Sequence, residues 1–405
     1  MSYIVIVGGQ LQNKGAQAMT FTVVDQVKKA YPNKEVVLFS SVFNQRDRKE
    51  REALNFKVIH WPMRMKMKLL GFQTLKHVGV VNYLKYLVRG TGKTKNEETE
   101  ILNILENTDQ MIDISGYALS SQRGYLASLN YIYNLMVANK YKIPVILFPQ
   151  SFGPFNYHGS EKKVLMPLME KYLSYPEKIY VRENDGLEHL KPFNLSNVQQ
   201  TFDSVLQGPK EFNNENIYKK EALGNIEWGI DVKTPAIAII PNVKIMKHGN
   251  EDQIHRYYKA LIDRVLKSEK NVYLLRHSFE DLEINKVIKE NYKDEQRVIL
   301  LEDDLNCIQI DKLLSKFDFI IASRYHAIIH AYKNGVPAFV FGWAVKYQEL
   351  LKNFSQERYM FDVREDGNKE VILDTMDYML DHSTEESENI NQKMLELDRV
   401  ELFNV

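Results

Sequence analysis

Short runs of β-branched residues, each stopped by glycine or polar residues, alternate with helix-period segments along this chain, and the alternation runs twice. Tyr3–Val7 reads as a buried strand that Gly8-Gly9 ends. Gln17–Tyr31 follows, with apolar residues at Ala18, Phe21, Val24, Val27 and Ala30, the spacing of one helix face. Glu35–Ser40, Phe56–His60, Gln110–Ile114, Pro144–Phe148 and Lys178–Val181 read as further strands, with helices at Leu126–Lys140 and Asn184–Leu190. Strands joined through helices belong to a parallel sheet covered on both faces.

The rhythm restarts at Pro235–Ile240 and continues through strands Asn271–Arg276, Arg297–Leu301, Phe317–Ala322 and Pro337–Phe341. Helices are expected between them at Asp252–Lys267, Ile284–Asn291, Ile308–Lys316 and His326–Asn334. A chain of 405 residues is long enough for two such units. The expected organisation is an N-terminal Rossmann-like domain over 1–208, a second over 209–384, and a polar C-terminal helix within 385–405 that packs back on the first. The weakly patterned stretch Phe212–Thr234 reads as the linker. The fold class is therefore α/β, two Rossmann-like parallel-sheet domains facing a cleft.

Charge excludes little by itself, because 53 basic residues balance 53 acidic ones and nothing suggests a nucleic-acid partner. The one cysteine, Cys307, has no second thiol or histidine cluster beside it, so neither a disulfide nor a zinc site is expected. The opening residues carry no secretory pattern and no run is long enough to span a membrane, so a cytoplasmic protein is expected. Residues 62–96 depart from neutrality, with eight Lys or Arg and no acid, interleaved with aromatic and aliphatic residues. Such a stretch can be a solvated face over a core stripe, or it can lie peripherally on the inner face of a membrane.

Open α/β sheets bind ligands at the carboxyl ends of their strands, which directs attention to the loops there. Ser323-Arg324-Tyr325-His326 ends a very apolar strand and opens a helix. Unpaired N–H groups at a helix start, a forked guanidinium and a neutral-range imidazole suit an anionic ligand and a proton transfer. An interdomain salt bridge and a helix cap would also account for them. Gly8–Gln17 is a glycine-containing strand-to-helix loop, but it matches neither the dinucleotide nor the phosphate-loop pattern. Gln150 and Ser151 can bond sugar hydroxyls, and Arg182 can be a second anion ligand or pair with Glu183 or Asp185. Arg276-His277 repeats the Arg/His pairing with Asp281 nearby, and Glu349 and Glu357 stand eight residues apart. A satisfied loop histidine and a chance pairing of acids account for these two.

Ser323-Arg324-Tyr325-His326-Ala327, then Ala331, Gly335-Val336-Pro337 and Lys346, resembles the C-terminal signature of the polysaccharide pyruvyltransferase family. Asn13-Lys14-Gly15-Ala16-Gln17-Ala18 is similar to its first loop, and Asp113-Ile114-Ser115-Gly116 to its second strand end. Gln150-Ser151-Phe152-Gly153-Pro154, Val181-Arg182-Glu183 and Asp203-Ser204 are similar to its Gln-Ser-x-Gly-Pro motif, its Arg-acid step and its domain-closing aspartate. The likeness runs over residues 3–350.

The resemblance implies a GT-B-like fold and transfer of pyruvate from phosphoenolpyruvate to sugar hydroxyls, forming a ketal in capsule, exopolysaccharide or cell-wall polymers. It implies that His326 and Arg324 are catalytic, with Arg182, Arg324, Ser323, Tyr325 and Lys346 at the donor. Whether His326 acts as acid or base stays open. Asn13, Gln17, Asp113, Gly116, Gln150 and Ser151 are expected at a glycan acceptor, which can be lipid-linked. No metal is expected, because no cluster with recognisable ligand spacing is evident in the sequence, and no cofactor, phosphoenolpyruvate being the donor substrate. The sequence departs from the pattern at Ser115-Gly116-Tyr117, where a longer glycine-rich loop is usual, and at Gln17, where an acid is common. A nucleotide-sugar-dependent glycosyltransferase on the same architecture, and a non-catalytic sugar-binding protein at the membrane, are the competing readings.

Overall fold

The structure, a computed structural model, describes residues 2–226, 229–365, 367–397 and 399–400. Among these residues the chain forms two all-parallel sheets. The first comprises β1 (Tyr3–Val7), β2 (Glu35–Ser40), β3 (Lys57–His60), β4 (Thr108–Asp113), β5 (Val145–Gln150), β6 (Lys178–Val181) and β7 (Val198–Gln200), in the order β3-β2-β1-β4-β5-β6-β7. The second comprises β8 (Ala236–Ile240), β9 (Asn271–Leu274), β10 (Val298–Leu300), β11 (Ile320–Ala322), β12 (Ala338–Gly342) and β13 (Met360–Asp362), in the order β10-β9-β8-β11-β12-β13.

The strand order reverses beside β1 in one sheet and beside β8 in the other, so both crevices open at the carboxyl ends of the central strands. The central strands are apolar on both faces because helices cover both. Val5, Val7, Val37 and Phe39 point into one core cluster, and Ile4, Ile6, Val36 and Leu38 into another. The second of these clusters does not stop at the domain. It continues through Ala18 and Phe21 of the helix Lys14–Ala30, across Ala327, Ile328 and Ala331 of the helix Tyr325–Lys333, to Ala238 and Ala322 of the other sheet. The two sheets thus share one apolar layer, whose burial favours the closed arrangement by roughly 25 cal/mol per Å² covered.

Most strands fall within two residues of their expected bounds. The exceptions are β11, which starts three residues later than expected, and the outer strands β7 and β13, three residues each, which carry no purely apolar run and have no counterpart among the expected strands. The helix expected at 385–403 instead begins at Lys369, capped by Asn368, and runs unbroken to Leu395. The boundary expected at 384/385 lies inside it, and residues 401–405 fall outside the described part of the chain. Beyond the helix, the Val400 N–H donates to Oε1 of Gln207. Of the expected linker 212–234, residues 227 and 228 lie outside the described part of the chain, and a segment before them is packed on the first half. Tyr218 is 2% exposed, packs edge-on to Phe21 at 5.6 Å and bridges Leu54.

Residues 63–89 form short helices at Met63–Leu70, Leu75–Val78 and Val80–Arg89. Lys66, counted with the surface basic residues, is in fact fully buried. Its ammonium donates to the backbone and side-chain oxygens of Asn130 and lies 5.6 Å from the Trp61 ring. Burial brings it down to about 7, with Asp113 opposing the shift. No helix among the described residues is long and apolar enough to cross a membrane.

Candidate active site

His326 sits in the first turn of the helix that follows β11, and its ring closes over the loop after β1. A Cβ on Gly15 would stand 2.3 Å from the ring atoms Cγ and Nδ1, so only glycine leaves room for the imidazole there. The far nitrogen, Nε2, lies 3.8 Å from Oδ2 of Asp203 and has no hydrogen-bond partner among the described residues. Burial pushes the imidazole down to about 3, helped by Arg182, His330 and Lys346 and opposed by Asp203. The ring is therefore neutral at pH 7 and able to accept a proton.

Asp203 is fixed in two ways. Oδ1 accepts from the Val205 N–H, capping a short helix, and Oδ2 accepts from Nη1 of Arg182 at 2.5 Å. Burial opposes its charge, but the charge of Arg182 and the hydrogen bonds from Val205 and Arg182 hold the carboxyl below its usual range. Arg182, at the end of β6, is the hub of the first half. Its Nη2 donates to the Gly116 carbonyl at 3.0 Å and to Oγ of Ser151 at 2.6 Å. Ser151 in turn donates through Oγ to Glu183 and through N–H to the Gly116 carbonyl. Gly116 has φ +64°, and a Cβ there would meet Met19 at 3.0 Å. The guanidinium Nε makes no hydrogen bond but lies 3.6 Å from Oε1 of Glu183, and the Tyr325 ring is 5.3 Å away.

Two groups at this centre are incompletely matched: Lys346, and one oxygen of Glu183. Lys346 stands with its ammonium 4.9 Å from the Tyr325 ring, 5.6 Å from Tyr347 and 5.8 Å from Tyr117, and no carboxylate reaches it among the described residues. Burial, reinforced by Arg182, brings it down to about 8, with Glu183 pulling the other way. Glu183 keeps Oε2 buried and unpartnered. Burial raises its carboxyl above the ordinary range, against the opposing pull of Arg182, Ser151 and Lys346.

The remaining expected site residues divide differently. Arg324 is turned away from His326, donating to both oxygens of Asp281 and to Glu280, and those carboxylates neutralise it. Ser323 is fully buried, with Oγ 3.3 Å from the Tyr258 hydroxyl and its carbonyl accepting from Tyr347. Asp113 is buried under the loop, accepting from the Ser115 N–H and from Asn134. Gln150 is buried beside the Tyr131 hydroxyl. Asn13 is exposed and caps the helix Lys14–Ala30.

Gln17 is an interdomain tie. Its Oε1 accepts from the Cys307 N–H of the second half and its Nε2 donates to Glu50, which also accepts from the Tyr218 hydroxyl. Burial raises Glu50 to about 7, with Lys14 and Tyr218 opposing. Glu349, dismissed as a chance partner of Glu357, in fact spans the cleft. Its carboxylate accepts from the backbone N–H groups of Asn184 at 2.5 Å and Asp185 at 3.0 Å. Gly15, Glu183 and Glu349 were not expected as site residues, although Gly15 lies in the first-loop motif and Glu183 in the Arg-acid step. Among the described residues there is no group of three His, Cys, Asp or Glu side chains arranged to hold a metal ion.

The sequence profile of the polysaccharide pyruvyl transferase family matches residues 13–344, and the chain belongs to that family. Curated protein sequences give no match. Among solved structures, the fold is similar to UDP-GlcNAc 2-epimerase from Neisseria meningitidis bound to UDP-GlcNAc, at 12% identity and a TM-score of 0.56, covering 96% of this chain and 94% of that one. A glycosyltransferase from Rickettsia africae is similar at 14% identity and a TM-score of 0.55, with 99% and 96% covered. The glycosyltransferase SnogD from Streptomyces nogalater is similar at 12% identity and a TM-score of 0.51, with 98% and 96% covered. At these identities the likeness is one of fold, which is that of GT-B glycosyltransferases and epimerases.

Proposed function

We propose that this transferase moves the pyruvyl group of phosphoenolpyruvate onto two hydroxyls of a sugar in a polysaccharide or its precursor, releasing phosphate and leaving a ketal. The observation that carries the reading is Lys346, a cation enclosed by three tyrosine rings beside Arg182 with no carboxylate in reach among the described residues. The ammonium is half-buried rather than solvated, and a small dianion would give it the counter-charge the protein does not. Phosphoenolpyruvate carries a phosphate and a carboxylate on one carbon.

In this reading Glu183 gives its proton to the methylene carbon, which becomes the methyl group. The adjacent carbon turns electrophilic, and a sugar hydroxyl adds to it as neutral His326 takes the hydroxyl proton. Asp203 holds the imidazolium that forms. The carbon–oxygen bond to phosphate then breaks, and His326 returns its proton to the departing phosphate. The second hydroxyl closes the ketal and restores the proton to Glu183. Lys346 and Arg182 face the negative charge throughout without having to reorient, the preorganisation that gives electrostatic catalysis its strength. Arg324, neutralised by Asp281 and Glu280, is here a positioning residue at the start of the His326 helix.

The test is phosphate release from phosphoenolpyruvate with synthetic and lipid-linked glycosides, run in D₂O. The expected product is a pyruvyl ketal with one deuterium in its methyl group. Stabilisation by a nucleotide sugar, with neither binding nor turnover of phosphoenolpyruvate, would overturn the reading in favour of glycosyl transfer.

A further inference from the structure

We propose that the outward face of the helix Val80–Arg89 docks on an anionic lipid bilayer. The helix has two unlike apolar sides. Tyr83 is buried and Tyr86 half-buried against the protein, with Phe72 5.7 Å from the Tyr83 ring. On the other side Val80, Val81, Leu84, Leu87 and Val88 each expose more than half of their surface, and Val88 exposes 87%. At helical spacing these five form one stripe, which Phe72, 79% exposed, extends. A soluble surface seldom keeps so many adjacent aliphatic side chains in water without covering them.

Charge identifies what covers them. Of the eight basic residues in 62–96, Lys66 is spent on Asn130, Lys68 on Glu98 and Lys93 on Glu97. Lys76, Lys85 and Arg89 stay exposed, with no acid paired to them among the described residues. Lys85 and Arg89 follow the apolar stripe along one flank, the pattern of a helix lying in a headgroup layer. A second copy of this chain, meeting the face by a two-fold axis, would set these same cations against each other. An anionic bilayer offers both the apolar depth and the opposite charge.

The face is also fixed to the cleft. The Tyr125 hydroxyl donates to the His77 carbonyl just ahead of the helix, and Tyr125 opens the long helix that follows the Gly116–Arg123 loop. The proposal does not rest on the reading of the cleft, but it would bring a membrane-borne acceptor to the acceptor-side loops.

The test is co-sedimentation of the full chain with phosphatidylcholine vesicles, with and without phosphatidylglycerol. Binding is expected only to the anionic vesicles. Lys85→Gln with Arg89→Gln is expected to weaken it by tenfold or more, and Leu84→Ser with Val88→Ser to abolish it. These residues are exposed, so unchanged circular dichroism is expected for both variants. Equal binding to the two vesicle types, or binding indifferent to Leu84→Ser with Val88→Ser, would overturn the proposal. So would a dimer in light scattering that this apolar variant dissociates, with no vesicle binding by the parent.

Discussion

The ring of His326 rests on the backbone of Gly15, with 2.3 Å between its Cγ and the place a Cβ would occupy. These residues lie on opposite halves of the chain. The contact sets how far Nε2 stands from Asp203 and hence where a proton can be taken up.

Gly15→Ala is therefore expected to displace the imidazole while leaving the core intact. Turnover is expected to fall by about 10²-fold, the lower range for loss of an acid–base group, with an unchanged circular dichroism spectrum. Retention of more than a third of parental turnover would show that the ring position is not set by this glycine.

Glu183→Gln keeps the acceptor for Ser151 but removes the proton. Turnover is expected to drop about 10²–10⁴-fold, with phosphoenolpyruvate binding little changed. A variant whose turnover is preserved while its KM rises would make Glu183 a binding group instead.

Lys346 carries charge only below its lowered value of about 8. Affinity for phosphoenolpyruvate is accordingly expected to fall as pH rises through about 8, where the ammonium becomes an amine. In Lys346→Arg the decline is expected to move beyond pH 10, since a guanidinium keeps its proton. Lys346→Met is expected to bind weakly at every pH. Titration of the dissociation constant against pH for the three proteins checks this, and an unshifted decline in Lys346→Arg would assign it to another group.

Glu50 is raised to about 7 in the folded chain, above its ordinary unfolded value. The folded state then holds more protons between roughly pH 4.5 and 7, so stability present below that window is lost as pH rises through it. Glu50→Gln preserves an acceptor for Gln17 and Tyr218 without the charge. Its melting temperature is expected to exceed the parent's at pH 8, with a smaller difference between pH 5 and pH 8. An equal pH dependence in the two proteins would place the titration elsewhere.

The sheets were readable because their inner strands are continuous apolar runs: Ile4 to Val7 and Ile237 to Ile240 have no polar residue to break them. Outer strands such as Val198–Gln200 are half wet and leave no such trace. The site divides in the same way. Arg182 and His326 stood out at strand ends and Lys346 through the family signature, and the three came together in space. What sequence could not give were the partners. Nothing in the chain tells that Arg324 will find Asp281, 43 positions earlier, or that the Gln17 amide will be spent on the Cys307 backbone. Those choices depend on how two separately patterned sheets meet.

The division of the centre between those sheets has a mechanical consequence. Glu183 and Asp203 travel with one half and His326 and Lys346 with the other, so the proton route exists only while the halves touch. Under the proposed chemistry, a substitution that loosens the apolar layer shared by the two halves would slow turnover without touching any group at the centre.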